Sequence, residues 1–286
     1  MPDSLMENSP SPGLYIVATP IGNLGDLTLR AAALLRQADV IAAEDKRVTA
    51  TLLRHLGVKV PLVAYHDHSD PSVRERLIAR AGSEVVALVS DAGTPLISDP
   101  GYKLVQGARA AGRHIVTLPG PCAAIAALTL AGLPTDRFLF AGFLPSKAKA
   151  RSDAIAALAS VDATLVLYES GPRLAVCLAA LAAGLGNREA AVARELTKLY
   201  EECVTGPLAS LAERYAAVPP KGEIVLVIAP PATATADSGD DAAINAALAE
   251  ALADQPMAKA AKAVAARFGL ERGDVYARAL AIKGGA

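Results

Sequence analysis

From residue 13 onward, short runs of β-branched and aliphatic residues alternate with longer stretches whose apolar positions recur every three or four residues. The runs predict strands at Leu14–Ala18, Val40–Ala43, Leu62–Tyr65, Val85–Val89 and His114–Leu118. The intervening stretches predict helices at Leu27–Gln37, Val48–Leu56, Pro71–Ala81, Gly101–Ala111 and Cys122–Ala131. This βαβα rhythm predicts a mostly parallel sheet covered on both faces, because each crossover helix lies over the strands it joins. A second group of runs, Phe138–Gly142, Thr164–Tyr168, Ala190–Ala193 and Ile224–Ile228, follows Gly132-Leu133-Pro134, which suits a hinge. The pattern thus divides the chain into an N-terminal α/β domain over 13–132 and a second α/β domain over 133–230. Low-complexity Pro230–Gly239 marks a linker over 231–245, and Ser- and Pro-containing Met1–Pro12 reads as a disordered tail.

The last segment, 246–286, changes the picture through its charge. Residues 231–255 carry Asp237, Asp240, Asp241, Glu250 and Asp254 and no basic group. Residues 256–286 carry Lys259, Lys262, Arg267, Arg272, Arg278 and Lys283 against Glu271 and Asp274. Met257–Phe268 and Glu271–Ile282, separated by a turn at Gly269, have the spacing of a helix-turn-helix. A plain helical hairpin with a solvated basic face fits the same pattern.

Composition narrows the class further. With 286 residues and 52% hydrophobic content, the chain has ample apolar material for two cores. A net charge of −1 gives no broad attraction to nucleic acid, so any RNA-binding surface must be local. Cys122, Cys177 and Cys203 are odd in number and have no C-x-x-C spacing. They predict neither a disulfide framework nor a metal site, and a reducing cytoplasm follows as the expected compartment. The N-terminus has no basic and apolar regions of a signal peptide, and no apolar run approaches the length of a membrane span.

Candidate chemistry gathers where strands open into loops. The buried run Val85–Val89 ends in Ser90-Asp91-Ala-Gly-Thr-Pro-Leu-Ile-Ser-Asp99-Pro-Gly101, a long loop in which two carboxylates frame a Gly-Thr-Pro core. Ligands of open α/β sheets bind at such carboxyl ends. The first strand ends likewise in Thr19-Pro-Ile-Gly22-Asn-Leu-Gly25-Asp26. Its glycines match neither G-x-G-x-x-G nor a phosphate loop with Gly-Lys-Ser/Thr, which excludes a nucleoside-triphosphate site of that kind. Glu44, 22 residues beyond Gly22, has the spacing of a ribose-binding acid and leaves a dinucleotide dehydrogenase as an alternative.

Taken together, several segments carry a resemblance. They are Ala18–Asp26, Ala42-Ala-Glu-Asp45, Val89–Gly101, Leu118-Pro-Gly-Pro-Cys-Ala-Ala124, Gly142-Phe-Leu-Pro145, Tyr168-Glu-Ser170, Ala193-Arg-Glu-Leu-Thr-Lys198 and Lys221-Gly-Glu223. In this order the chain resembles the tetrapyrrole methylase superfamily, whose members transfer a methyl group from S-adenosylmethionine. Within it, the chain is similar to the branch acting on the ribose of small-subunit (16S) ribosomal RNA, down to a basic helical appendage. The resemblance implies an α/β fold of two domains with the cofactor in the cleft between them, plus a small C-terminal helical domain. By position it implies a cofactor site of Ile21, Asp91, Gly93, Thr94, Ile97, Cys122, Ala123, Tyr168 and Glu223. Backbone N–H groups of Gly93 and Thr94 would meet polar cofactor edges, and Cys122 would serve as a small pocket wall.

The implied reaction is methylation of a cytidine 2′-oxygen. A ribose hydroxyl is a very weak acid, so a nearby proton acceptor helps. Asp26, Glu44 and Asp45 stand first among the candidates, ahead of His66, Asp67, His68 and Lys198. Candidate RNA contacts are Lys46, Arg47, Lys147, Lys149, Arg151, Arg194 and Lys198 in the body, and Lys259, Lys262, Arg267, Arg272 and Arg278 in the tail. Arg194, Glu195 and Lys198 are also expected to form the second wall of the cleft, and a structural ion-pair network fits the same residues. Two positions depart from the family pattern: Lys46 replaces the threonine of Glu-Asp-Thr-Arg, and Pro172 replaces the histidine of Tyr-Glu-Ser-x-His-Arg. The second removes any histidine from that motif. A homodimer is also implied. The alternatives are a methyltransferase of a small tetrapyrrole and a ribosome-assembly factor that keeps the cofactor fold without turnover.

Overall fold

The computed structural model describes residues 9–231 and 241–284. Met1–Asn8 of the expected tail and 232–240 of the expected linker lie outside them. By its contacts the chain divides into two compact units, Met1–Ala159 with Ala163–Ala229 and Ser160–Asp162 with Pro230–Ala286.

The first unit begins with a parallel sheet of β1 (Gly13–Val17), β2 (Val40–Ala43), β3 (Leu62–Ala64), β4 (Val85–Val89) and β5 (Ile115–Leu118) in the order β3-β2-β4-β1-β5. Successive side chains of a strand face opposite ways, so each strand feeds two cores. Tyr15, Val17, Ile41, Ala43, Val85, Ala87 and Val89 face α1 (Leu29–Gln37) and α2 (Lys46–His55) through Leu34, Leu35, Leu52 and Leu53. Leu14, Val40, Ala42, Val86 and Leu88 face α3 (Pro71–Arg80) and α4 (Tyr102–Ala110) through Leu77, Leu104 and Ala108. Side-chain caps start three of these helices. Thr28 Oγ1 accepts from Ala31 N–H at 3.2 Å, Asp45 Oδ1 from Arg47 N–H at 2.8 Å, and Asp70 Oδ1 from Ser72 N–H at 2.8 Å.

This arrangement locates the ligand crevice. The chain leaves β1 for a helix on one face and leaves the adjacent β4 for a helix on the other. Diverging connections open a crevice beyond the carboxyl ends of those two strands, the switch point at which open α/β sheets bind ligands.

The second sheet has β6 (Phe138–Phe143), β7 (Thr164–Ser170), β10 (Glu223–Ile228), β8 (Glu189–Arg194) and β9 (Glu202–Pro207) side by side in that order. Only β6 and β7 are parallel; the other neighbours are antiparallel. On one face Val166, Ala191, Ala193, Val225 and Val227 pack against α5 (Ala123–Leu130). This helix follows β5, yet it packs on the second sheet and not on the sheet it leaves. Elsewhere in this half lie α6 (Ala148–Leu158), α7 (Leu174–Leu185) and α8 (Leu208–Ala217), with α7 packed on α6, α8 and β7, and α8 on β8 and β9.

The second unit contains α9 (Asp241–Asp254), α10 (Met257–Phe268) and α11 (Arg272–Gly284) around Ile244, Leu248, Val264, Phe268 and Val275. The expected pair of helices is thus joined by a third, α9, that the sequence pattern did not single out. Gly269 ends α10 in the left-handed region with φ 61°, and Leu270 N–H returns to Ala265 C=O at 3.0 Å.

Candidate functional site

Two loops meet at the switch point. Thr19 and Gly93 exchange both backbone hydrogen bonds, at 2.8 and 3.0 Å, and Thr19 Oγ1 donates to Ser90 C=O at 3.3 Å. Thr94 Oγ1 donates to Pro121 C=O at 2.9 Å, tying the β4 loop to the segment before α5. Beyond β4 the loop holds non-glycine residues in the left-handed region, Leu96 at φ 75° and Ser98 at φ 63°. Facing it, the loop after β8 does the same at Glu195 (φ 51°) and Thr197 (φ 65°). Each such residue costs about 1–3 kcal/mol, and backbone strain of this kind concentrates at functional sites.

Between these loops lies a cavity of about 360 Å³. Ile21, Gly93, Thr94, Ile97, Cys122, Ala123, Tyr168 and Glu223 all line it, as the sequence predicts. Of Arg194, Glu195 and Lys198, expected as the second wall of the cleft, Glu195 and Lys198 line it and Arg194 does not; Ser98, Phe143, Leu196 and Gly222 line it without having been singled out, as does Asp99. Asp91 does not. Its side chain lies on the other side of the Thr19–Gly93 bridge, where Asp91 lines a second cavity of about 310 Å³. Its Oδ1 accepts from Asp45 N–H at 2.9 Å. The expectation that Gly93 N–H meets a cofactor is also corrected, since that donor is bonded to Thr19 C=O.

Tyr168 forms one wall. Its hydroxyl accepts from Ala124 N–H at 3.2 Å in the first turn of α5, and its ring meets Phe140 and Phe143 edge-on, with centroids 4.9 and 5.6 Å away. Burial pushes its hydroxyl pKa above the usual tyrosine range, so it stays a neutral donor. Lys198 folds into the opposite wall, with Nζ donating to Glu195 Oε1 at 3.0 Å and its stem against Gly22.

Carboxylates dominate the electrostatics. Burial pushes Asp99 up to about 6 despite a hydrogen bond from Ser90, and the negative charges of Glu44, Glu223 and Asp91 add to the shift. Burial also raises Glu44, which accepts from Asp91 N–H at 3.3 Å and feels Asp91, Glu223 and Asp45. Asp45 is the opposite case: hydrogen bonds from Arg47 hold it down to about 2. A carboxylate so strongly stabilised as the anion is a poor proton acceptor.

The other expected catalytic and RNA-binding residues are dispersed. Asp26 sits in a 3-10 turn over Leu24–Asp26 and lines neither cavity. His66 and His68 are exposed in the loop after β3, and Asp67 between them accepts from Gly101 N–H at 3.2 Å. Lys46 and Lys147 are exposed, Arg47 pairs with Asp45 at 2.6 Å, and Lys149 pairs with Asp153 at 3.3 Å. Arg151 donates to Ser146 C=O at 3.1 Å, and Arg194 is engaged by Glu202, which also takes Arg214 at 3.3 Å. In the helical unit Lys259, Lys262, Arg267 and Arg272 are exposed, Arg278 is half-buried, and Arg267 stacks 5.2 Å from the Phe268 ring centroid.

Comparison with known proteins gives this geometry a context. Residues 13–212 match the family model Tetrapyrrole (Corrin/Porphyrin) Methylases, and residues 238–283 match the RsmI C-terminal HTH domain. The chain is 58% identical over 273 residues to Ribosomal RNA small subunit methyltransferase I of Erythrobacter litoralis, covering 96% of each chain. It is 48% identical over 275 residues to the protein of the same name from Mesorhizobium japonicum, covering 95% of this chain and 92% of that one. Among solved structures, uroporphyrin-III C-methyltransferase from Thermus thermophilus complexed with S-adenosyl homocysteine superposes with a TM-score of 0.52. It is 23% identical, over 76% of this chain and 97% of that one.

Proposed function

We propose that this chain, which belongs to the tetrapyrrole methylase family, is an S-adenosylmethionine-dependent methyltransferase of the small-subunit (16S) ribosomal RNA, acting on the 2′-oxygen of a cytidine. The observation that carries this reading is the cavity at the β1–β4 switch point in a chain whose residues 256–286, forming α10 and α11, carry six basic groups against two acidic ones. The cavity suits the cofactor. Ile21, Ile97, Phe143 and Leu196 offer apolar walls for an adenine ring, while Asp99 and Glu223 offer negative charge to a sulfonium. Bound there, S-adenosylmethionine supplies a methyl group on a cationic sulfur.

In the transfer, the ribose oxygen forms a bond to the methyl carbon as the carbon–sulfur bond breaks, and the hydroxyl proton passes to a carboxylate. Glu44 fits that role better than Asp45, because its pKa is raised while that of Asp45 is lowered. Asp26, like Glu44, lines neither cavity and is the second candidate for the proton acceptor. A tetrapyrrole substrate leaves the basic helices without a purpose, and an assembly factor without turnover leaves the strained loops without one. Radiolabelled cofactor incubated with undermethylated small subunits should place label in RNA as an alkali-resistant dinucleotide. Label only in tetrapyrrole precursors, or none, refutes the reading.

The helical unit is the proposed RNA grip. Reversing charge in Lys259→Glu with Lys262→Glu should weaken RNA binding about tenfold or more and flatten its salt dependence by roughly two charges. Cofactor affinity should not change; unaltered RNA binding sinks the assignment. A homodimer and a cytoplasmic location complete the proposal. Phe138 and Leu139, exposed on edge strand β6, support the dimer, and among the described residues no helix is long and apolar enough to cross a membrane.

A further inference from the structure

The second cavity shares a wall with the first. Pro20, Gly22, Ser90 and Asp91 line one side of the two bridged loops, while Ile21, Ala92, Gly93 and Thr94 line the other. A group lodged in the second cavity therefore lies next to whatever the first cavity holds. Its walls are mainly apolar: Pro20, Leu24, Val48 and Leu52. Leu24 and Val48 remain 44% and 43% exposed, a large apolar surface for a rim that is left open among the described residues.

Its polar groups are few, and one is unusual. Thr51 Oγ1 donates to Arg47 C=O at 3.2 Å, and Ser90 Oγ to Ala92 C=O at 3.3 Å. Thr49, by contrast, is only 3% exposed, and its hydroxyl has no hydrogen-bond partner among the described residues. A buried hydroxyl without a partner costs about 1–3 kcal/mol, a cost that a ligand in this cavity removes. Asp91 adds a carboxylate of which Oδ1 is engaged by Asp45 N–H, leaving Oδ2 to accept from a ligand.

Resting on the ribosomal RNA reading above, we propose that this second cavity receives the base of the acceptor nucleoside, with Thr49 and Asp91 as its specificity-determining residues. RNA-modifying and RNA-binding proteins read unstacked bases through apolar contact with the ring faces and hydrogen bonds to the edge. A carboxylate accepts but does not donate, so Asp91 selects a base bearing an exocyclic amine, as cytosine does at N4 and uracil does not. The Thr49 hydroxyl serves a second edge atom. With the base on one side of the bridged loops and the cofactor on the other, the sugar lies at the rim, beside the Glu44 carboxylate that holds Asp91 N–H.

The test uses the full chain with undermethylated small subunits whose mapped acceptor is either cytidine or uridine. The wild type should favour cytidine. Thr49→Val, nearly isosteric, should lower kcat/KM for cytidine about tenfold with cofactor affinity unchanged. Asp91→Asn, whose amide can also donate, should lower transfer to cytidine about tenfold and narrow the cytidine-to-uridine ratio by about a hundredfold. Asp91 is exposed, so this variant tests the inference even if Thr49→Val fails to fold. If the wild type discriminates and both variants keep its rate and ratio, the base lies elsewhere and the inference is overturned. A wild type inactive on both acceptors overturns the ribosomal reading itself, and this inference with it.

Discussion

Replacing Gly171 with alanine should destabilise the chain by about 2–3 kcal/mol and weaken the cofactor site together with the fold. Gly171 follows β7 and is buried, and a Cβ there would sit 1.9 Å from the Pro220 carbonyl oxygen and 2.8 Å from its carbon. Both atoms are backbone, so no rotamer change relieves the clash. The segment Pro220–Lys221–Gly222 must move, and Gly171 N–H would lose its 3.1 Å bond to Gly222 C=O. Gly222 has little freedom to follow, since it already lies at φ 88° with a Cβ position 3.0 Å from Glu195 Oε1. Because Gly222 and Glu223 line the cavity, the shift is transmitted to it. At this size the loss corresponds to a fall in Tm of about 5–10 °C, with weaker cofactor binding measured by calorimetry below the melt. Gly273→Ala in α11, where a Cβ meets nothing within 4 Å, is the control and should be neutral or slightly stabilising. A Gly171→Ala chain with unchanged melting and cofactor binding contradicts the packing described.

The same local crowding explains what the sequence could and could not reveal. The strands of the first sheet are legible because burial on both faces leaves near-continuous apolar runs, and the observed β2 and β4 coincide with the expected Val40–Ala43 and Val85–Val89. Their order is not legible, since no residue pattern says that β4 inserts between β2 and β1. Nor does the sequence say which sheet α5 covers: Ala-Ala-Ile-Ala-Ala-Leu-Thr-Leu has no polar stripe to orient it. The same lack of a stripe hides α7, which is apolar nearly all round. Strand β9, Glu-Cys-Val-Thr-Gly-Pro, lies at a sheet edge without a buried residue, so its composition reads as a loop.

At the site, the residues found from sequence are those in motifs at the ends of β1, β4 and β5 and in β7 and β10. Leu196 escaped because its loop turns on non-glycine residues at positive φ, Glu195 and Thr197, a conformation with no compositional mark. Phe143 escaped because a lone aromatic at a strand end reads as core, although it is 51% exposed. Lys198, expected both in the second wall of the cleft and as an RNA contact, lines the cavity and pairs with Glu195. Of the two carboxylates framing Gly-Thr-Pro, the resemblance put Asp91 in the cofactor site, while the carboxylate beside the cation was expected to be Asp91 or another of this loop. The left-handed residues Leu96 and Ser98 lie between them, and it is Asp99 that lines the cavity.

Asp99 should therefore control how the cofactor site distinguishes a cation from a neutral ligand. In the absence of cofactor its carboxyl titrates near 6 instead of the ordinary 3.8, chiefly because of burial. Between these values the folded chain keeps a proton that the unfolded chain has released. The stability Asp99 contributes is thus fully present below about pH 4 and lost as pH rises through about 6. Asp99→Asn escapes that loss. Allowing for screening at a group still partly open to solvent, it should be more stable than the wild type by about 1 kcal/mol at pH 7.5, and equal to it near pH 4. Binding should respond in the opposite direction. A sulfonium favours the ionised carboxylate, so affinity for S-adenosylmethionine should rise with pH through about 6, while affinity for the neutral product S-adenosylhomocysteine should stay nearly flat. In Asp99→Asn the rise should disappear, and affinity for S-adenosylmethionine at pH 7.5 should fall about tenfold, equivalent to about 1.4 kcal/mol. Titration calorimetry of both ligands across pH 5–8 measures these differences. Equal losses for the two ligands would place the sulfonium away from Asp99 and leave Glu223 as the carboxylate that faces it.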